Sequence, residues 1–376
     1  MHVPMTGLVA QHKALEEELL PRVVELARAQ TFILGEAVRS FERTLATLTC
    51  TTDAVGVGSG TDALVLSLIA LGVGSEDLVV VPAFGFVATA EAVLRAGARP
   101  LFADVADFLL DATGVDAALA TVKETDRRRA RAILPVHLFG ECARMCGEDG
   151  LLAFASARGM AIVEDAAQAI LATDDGRSAG SLGALGALSF FPTKNLGGWG
   201  DGGAVVTNDD ALARRVRRLR VHGIEDGRSR EAGTNSRLDA LHAVVLEIKS
   251  KHLERWTVAR NRVAERYRRE LAPFDSRLRL PPEPRPGCRH VYNQFVVRVD
   301  DPETLASHLL AHGIETRRYY PRILPEEPAF APFARNLTFP GANDAARSSL
   351  GLPIYPELTL DAQTHVVESI RGFFAR

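Results

Sequence analysis

The sequence predicts an α/β protein, with a large unit built on a mostly parallel sheet and a smaller α/β unit after it. Short apolar runs alternate with helical runs through the first two thirds of the chain, the rhythm of successive βα units with helices on both faces. These runs are nearly continuous in Val, Ile, Leu and Ala, as strands covered on both faces must be. A Pro- and Arg-rich stretch, Pro281 to Gly287, interrupts the pattern before a further strand–helix set.

Residues 11–30 make an amphipathic helix, with Leu15, Leu19, Val23 and Leu26 at near-helical spacing and Glu16 to Glu18 opposite. Pro21 should kink it or start a second piece. A second helix covers 36–48. Strand 54–57 leads into helix 62–71, and strand 78–81 into helix 88–96. Runs at 99–104, 130–136 and 160–165 continue the alternation. Residues 187–191 and 203–207 read as a strand pair around a glycine-rich turn. Helices follow at 209–219 and from 238 to about 271. Beyond the Pro/Arg stretch come a strand at 294–299, a helix at 302–313 and a last helix at 361–374.

A chain of 376 residues suits two domains better than one core. With 47% hydrophobic and 24% charged residues it has the balance of a soluble globular protein. A net charge of −3 offers no field for nucleic acid or anionic lipid, so neither is an expected partner. The basic runs Arg127–Arg131 and Arg214–Arg218 read as solvated helix faces or segment ends, not as nucleic-acid contacts. Four cysteines are too few for a disulfide framework, and Cys142 and Cys146 lack a second ligand pair, so reduced thiols and no metal are expected. No signal pattern and no membrane-length apolar run is present, and a cytoplasmic protein is expected.

Chemistry concentrates around Lys194, which stands between Ser189-Phe-Phe-Pro-Thr and the turn Gly197-Gly-Trp-Gly-Asp-Gly-Gly203. A surface lysine has no need of such glycine density, whereas a loop passing close to a cofactor does. Upstream, Asp165 ends the apolar run Ala161-Ile-Val-Glu, at the strand end where open α/β sheets place ligand groups. A lysine able to form an imine and a carboxylate able to keep a ring nitrogen protonated are the two groups pyridoxal phosphate requires. Asp165 serves equally well as an N-cap for a helix from Ala166. Val55-Gly-Val-Gly-Ser-Gly-Thr61 ends a strand and opens a helix, so Gly58, Gly60 and Thr61 could hold a phosphate on free N–H groups; a simple turn is the other reading. A dinucleotide fingerprint would need glycine where Thr61 stands. Ser189 can donate a hydroxyl to the same phosphate. On its own segment Phe86 reads as a core residue before a stacking one, and His137 as a hydrogen-bonded strand-end histidine before a general base.

Together, Gly58-Ser-Gly-Thr-Asp-Ala63, Pro82-Ala-Phe-Gly-Phe-Val-Ala-Thr-Ala90, Pro135-Val-His-Leu-Phe-Gly140, Glu164-Asp-Ala-Ala-Gln168, Ser189-Phe-Phe-Pro-Thr-Lys-Asn195 and Asn235-Ser-Arg-Leu-Asp239 resemble the DegT/StrS class of sugar aminotransferases. These are pyridoxal phosphate enzymes of fold type I, the aspartate aminotransferase fold. The resemblance implies a seven-stranded large domain at 1–245 and a small C-terminal domain at 246–376. It implies Lys194 as the imine-forming lysine, Asp165 on the pyridine nitrogen, Gln168 on the ring hydroxyl and Phe86 over the ring face. Gly60, Thr61 and Ser189 would hold the phosphate, joined by Asn235 from a second subunit of a homodimer. Arg318 and Tyr320 would face the substrate. The implied reaction moves an amino group from L-glutamate to a nucleotide-linked keto sugar, and Pro192-Thr-Lys-Asn-Leu-Gly197 resembles the enzymes that aminate a 3-keto sugar. A related dehydratase branch has histidine in place of the lysine; a non-catalytic pyridoxal-binding regulator, a dehydratase relative and a Rossmann-type dehydrogenase are the alternatives. The chain departs from the pattern at Gly85, where many relatives have threonine. It departs again before Asn235, where Tyr-x-His is absent, and at Leu324-Pro325, where relatives often have Leu-His.

Overall fold

The computed structural model describes residues 1–334 and 337–375. Helices α1 (Leu8–Ala29) and α2 (Gly35–Thr49) precede a βα series: β1 (Asp53–Val57), α3 (Gly60–Ala70), β2 (Leu78–Pro82), α4 (Ala88–Arg95), β3 (Arg99–Ala103), α5 (Ala112–Ala120), β4 (Ala130–Ile133), α6 (Leu151–Ala157) and β5 (Ala161–Asp165). Strands β6 (Leu185–Ser189) and β7 (Gly203–Thr207) follow, then α7 (Asp210–Leu219), α8 (Ala240–Ser250) and α9 (Leu253–Leu271).

The seven strands form one sheet in the order β1-β7-β6-β5-β4-β2-β3. All are parallel except β7, which runs against both β1 and β6. Parallel neighbours need a helical crossover, whereas β6 returns into β7 through a loop, and that loop carries Lys194. The carboxyl ends of β1, β2, β5 and β6 therefore lie along one edge, with the start of β7 beside them. Apolar clusters fill both faces of the sheet. One joins α3, α4 and α7; another joins α1, α2 and α8 through Leu19, Phe41, Leu45 and Leu246.

The smaller unit is a three-stranded antiparallel sheet, β8 (Leu278–Arg279), β9 (Phe295–Val299) and β10 (Ser349–Leu352), packed with helices α10 (Pro302–Ala311) and α12 (Leu360–Phe374). Helix α11 (Pro340–Ser348) runs directly into β10. Val3 bridges to Ile314, and the small core includes both Val3 and Phe374.

Three expectations change. Helix α1 is continuous through Pro21, which lies on the solvent side, where a missing N–H leaves no buried carbonyl unpaired. The long helix expected from 238 to 271 is two helices. Its first part packs Val244 and Ile248 against α1 and α2, and its second carries Val263, Tyr267 and Leu271 to the small sheet. Their shared apolar periodicity hides the turn at Lys251–His252. The basic run on α7 lies toward the end of that helix, the segment-end reading, with Arg215 and Arg218 paired with Glu231 and Arg217 with Asp53. The boundary read at 245/246 falls inside α8.

Candidate active site

The phosphate-cradle candidates come together through close backbone approaches. Helix α3 starts at Gly60, and its N-cap Ser59 accepts a hydrogen bond from the Asp62 N–H at 3.0 Å. A Cβ at Gly60 would stand 2.7 Å from that of Ser189, and one at Gly203 would strike the Ser59 carbonyl. Glycine at both places lets the α3 N-terminus, the end of β6 and the start of β7 meet. The N–H groups of the first α3 turn and the Ser189 hydroxyl then share one corner, a site suited to an anion.

Asp165 ends β5 with 6% of its surface exposed. Its carboxylate accepts hydrogen bonds from the Thr89 hydroxyl at 2.9 Å and the Ala167 N–H at 3.2 Å. No helix starts at Ala166, so Asp165 is not an N-cap. Burial pushes its carboxyl up, while the bonds from Ala167 and Thr89 and the charge of Lys194 pull it back. Burial lowers the Lys194 amine to about 8, against an upward pull from Asp165. Each of these two groups thus favours the charged form of the other.

Glu164, one residue earlier on β5, points to the opposite face. It accepts from the N–H groups of Gly180, Leu182 and Gly183 and lies 2.8 Å from His137 Nε2. The Ala143 N–H donates to His137 Nδ1. His137 is thus a fully bonded histidine, as its segment suggested.

Gln168 is fixed by its carbonyl oxygen, which accepts the Phe139 N–H at 2.6 Å. Its amide nitrogen therefore faces Tyr320, whose hydroxyl is 3.4 Å away. Tyr320 lies among Phe84, Phe86 and Tyr319, with ring centroids 5.9, 6.2 and 5.9 Å from its own. Phe86 is 54% exposed, so the core assignment belongs to Phe84, which is buried.

Two expected residues stand apart. The Arg318 guanidinium is taken up by Glu303 and by the carbonyls of Ala346 and Arg347, which turns it toward the end of α11 and away from a substrate-facing role. Asn235 is exposed and pairs through its backbone with Val221; its neighbour Ser236 accepts the Gly58 N–H at 3.0 Å and donates to Asp62 at 2.8 Å. Sequence reasoning missed Thr89, although it sits in the same motif as Phe86; nothing local shows that a helical threonine turns toward a strand end.

A buried carboxylate held by two donors, an amine of lowered basicity, an amide donor, an exposed aromatic face and a helix N-terminus match the ring nitrogen, aldehyde, hydroxyl, flat ring and phosphate of pyridoxal phosphate. Fold and site define a pyridoxal-phosphate-dependent aminotransferase. A family model for the DegT/DnrJ/EryC1/StrS aminotransferases matches residues 13–371, and the chain belongs to that family. It is 39% identical to a pleiotropic regulatory protein of Geobacillus stearothermophilus, over 100% of this chain and 99% of that one. It is also 39% identical to a UDP-N-acetyl-3-dehydro-alpha-D-glucosamine 3-aminotransferase of Acidithiobacillus ferrooxidans, over 98% of this chain and 97% of the relative. The crystal structure of Streptomyces venezuelae DesV in complex with a ketimine intermediate superposes with a TM-score of 0.93 at 38% identity, covering 100% of this chain and 99% of that one.

An amine lowered from 10.5 to about 8 is mostly neutral, and so nucleophilic, above pH 8. Attachment of pyridoxal phosphate to the apoprotein, followed by its visible absorption, should accelerate up to about pH 8 and then level off. In Asp165→Asn the upward pull is gone, and levelling should begin at lower pH. A wild-type rate still climbing at pH 10 would contradict a buried Lys194 amine.

Thr89→Val keeps the side-chain shape but removes a donor to a charged acceptor, a loss of about 1.5–3 kcal/mol. Losing a bond that favours the ionised form raises the Asp165 pKa further. The acid limb of the turnover profile should move to higher pH and turnover should fall roughly tenfold, with Thr89→Ser near wild type. Steady-state rates between pH 5 and 8 test this.

Proposed function

We propose that the chain is a homodimeric aminotransferase that moves an amino group from L-glutamate to a nucleotide-linked sugar bearing a 3-keto group. The pairing of Asp165 with Lys194 at one sheet edge carries the reaction type. The sugar class rests on the Acidithiobacillus relative, named for 3-amination of a UDP-linked keto sugar and matched over nearly its whole length. Pyridoxal phosphate supplies an aldehyde that captures amines and a ring that takes up the electron pair of a carbon losing its proton.

The chain's own residues do the rest. Lys194, its amine lowered to about 8, would act as general base and then general acid, taking up and returning a proton at its amine nitrogen. Asp165 holds the ring nitrogen protonated, and the bonds from Thr89 and Ala167 hold Asp165 ionised. Gln168 directs its amide N–H groups at the ring hydroxyl because Phe139 occupies its oxygen. Phe86 covers the ring, Gly60, Thr61 and Ser189 take the phosphate, and Tyr320 borders the substrate space. The small unit is proposed as the C-terminal domain, beginning with α9 at Leu253 and bordering this edge.

Exposed aromatic rings support the homodimer. Phe86, Phe191 and Trp199, on the segments flanking Asp165 and Lys194, are 54%, 49% and 41% exposed. A neighbouring subunit is the natural cover for so much apolar surface beside a site. Asn235, exposed on a segment tied to the phosphate corner through Ser236, is the residue proposed to reach the partner's phosphate.

Glutamate added to the cofactor-loaded protein should bleach its visible band. A panel of keto sugar nucleotides should restore the band, 3-keto members fastest. A non-catalytic binder, the reading that the regulatory name of the Geobacillus relative favours, would keep its band throughout.

Mixing Lys194→Ala with Asn235→Ala should recover part of the lost activity, because one site in each mixed dimer then holds both native residues. Absence of recovery, with mixed dimers shown to form, would leave Asn235 serving its own chain.

A further inference from the structure

The glycine-rich loop after Lys194 is packed against a helix. A Cβ at Gly200 would stand 2.7 Å from His242 Nε2, and one at Gly202 would stand 3.0 Å from Leu238 Cδ1. Lys249, one turn-multiple further along the same face of α8, donates to the Gly197 carbonyl at 2.7 Å. His242 and Lys249, seven residues apart, lie on one face of α8, and Leu238 stands just before the helix begins. The loop thus lies along this face, and its glycines remove side chains from the contact.

Lys249 is the anomalous member. It is 4% exposed, and the Gly197 carbonyl is its one hydrogen-bond acceptor among the described residues. Leu246 and Ile248 beside it belong to an apolar core. Burial lowers its ammonium to about 8, with Glu357 pulling it back up. Burying an ammonium with so few partners is unfavourable, so its presence is poorly explained as a contribution to stability. Its one acceptor belongs to the third residue after Lys194. On the other side, the Asn195 amide donates to the Val291 carbonyl at 3.1 Å, and the Lys194 N–H closes a turn on Phe191 at 2.8 Å.

We propose that Lys249 is a positioning residue for Lys194: by holding the Gly197 carbonyl it fixes the loop in the one course that aims the Lys194 amine at the cofactor aldehyde. This rests on Lys194 being the residue that carries the cofactor. Displacement of such an amine by a fraction of the loop's width slows its reactions strongly, because reacting atoms must be held in near-attack geometry.

The test is Lys249→Met, of similar length and without a donor. Three quantities are measured: the melting temperature, the rate at which pyridoxal phosphate attaches to apoprotein, and the visible circular dichroism of the bound cofactor. The melting temperature should stay level or rise, because a costly buried charge is gone. Attachment should slow about tenfold or more, and the circular dichroism band should weaken. Lys249→Gln keeps an N–H donor and should recover much of the attachment rate, and it serves equally if the Met variant does not fold. Attachment and circular dichroism within twofold of wild type in Lys249→Met would overturn the proposal. So would a lowered melting temperature with Lys249→Gln no better than Lys249→Met, since Lys249 would then be a structural residue. A wild-type protein with no lysine-bound band would overturn the reading of Lys194 itself.

Discussion

A carboxylate taken out of water has to be kept charged, and the arrangement around Asp165 is organised by that requirement. Its position at the end of β5 removes most of its hydration. The Thr89 hydroxyl and the Ala167 N–H replace part of it, and the Lys194 ammonium supplies the opposite charge. Loss of either donor moves the acid toward its neutral form, which cannot hold a pyridinium. The same crowding makes the lysine less basic, the sense the reaction needs, while for Asp165 burial works against the charged form and only its donors and Lys194 oppose it. Glu164 shows what the alternate face of the same strand does with a carboxylate: four donors around it make a rigid brace for residues 180–183.

Much of this was legible in the residues. The apolar runs located the strands because parallel strands covered on both faces have no polar alternation to obscure them. Asp165 and the Gly58–Thr61 turn stood out because each sits at a strand end, Lys194 because of the glycines after it, and Gln168 only through the family motif. What was not legible depends on contacts between distant segments. Thr89 and Asp165 are 76 residues apart, and Lys249 and Gly197 are 52 apart. The division of 238–271 into α8 and α9 is set by which core each half joins, since the apolar period runs through the turn unbroken.

The glycines after Lys194 have more than one physical reason to be there. Their density suggested a loop passing close to a cofactor, yet Gly200 packs against His242 of α8, Gly202 against Leu238 just before that helix, and Gly203 against the Ser59 carbonyl before α3. Close packing against neighbouring chain, backbone at Gly197 and Gly203 and side chains at Gly200 and Gly202, accounts for part of the composition of this segment. Arg318 carries the converse lesson, because the family resemblance suggested a substrate contact while Glu303 and two helix-end carbonyls already take up its guanidinium.

The small core has a consequence for how the chain acquires its structure. It places Val3 beside residues as late as Phe374 and pairs Val3 with Ile314. During synthesis the βα series can assemble from neighbouring segments as they emerge, whereas the small unit must wait for helix α12, keeping the first residues unpaired meanwhile. The apolar surfaces of β9 and β10 stay uncovered over the same interval. This enzyme should therefore depend on chaperones most during the translation of its last quarter, after the sheet that carries its chemistry has already closed.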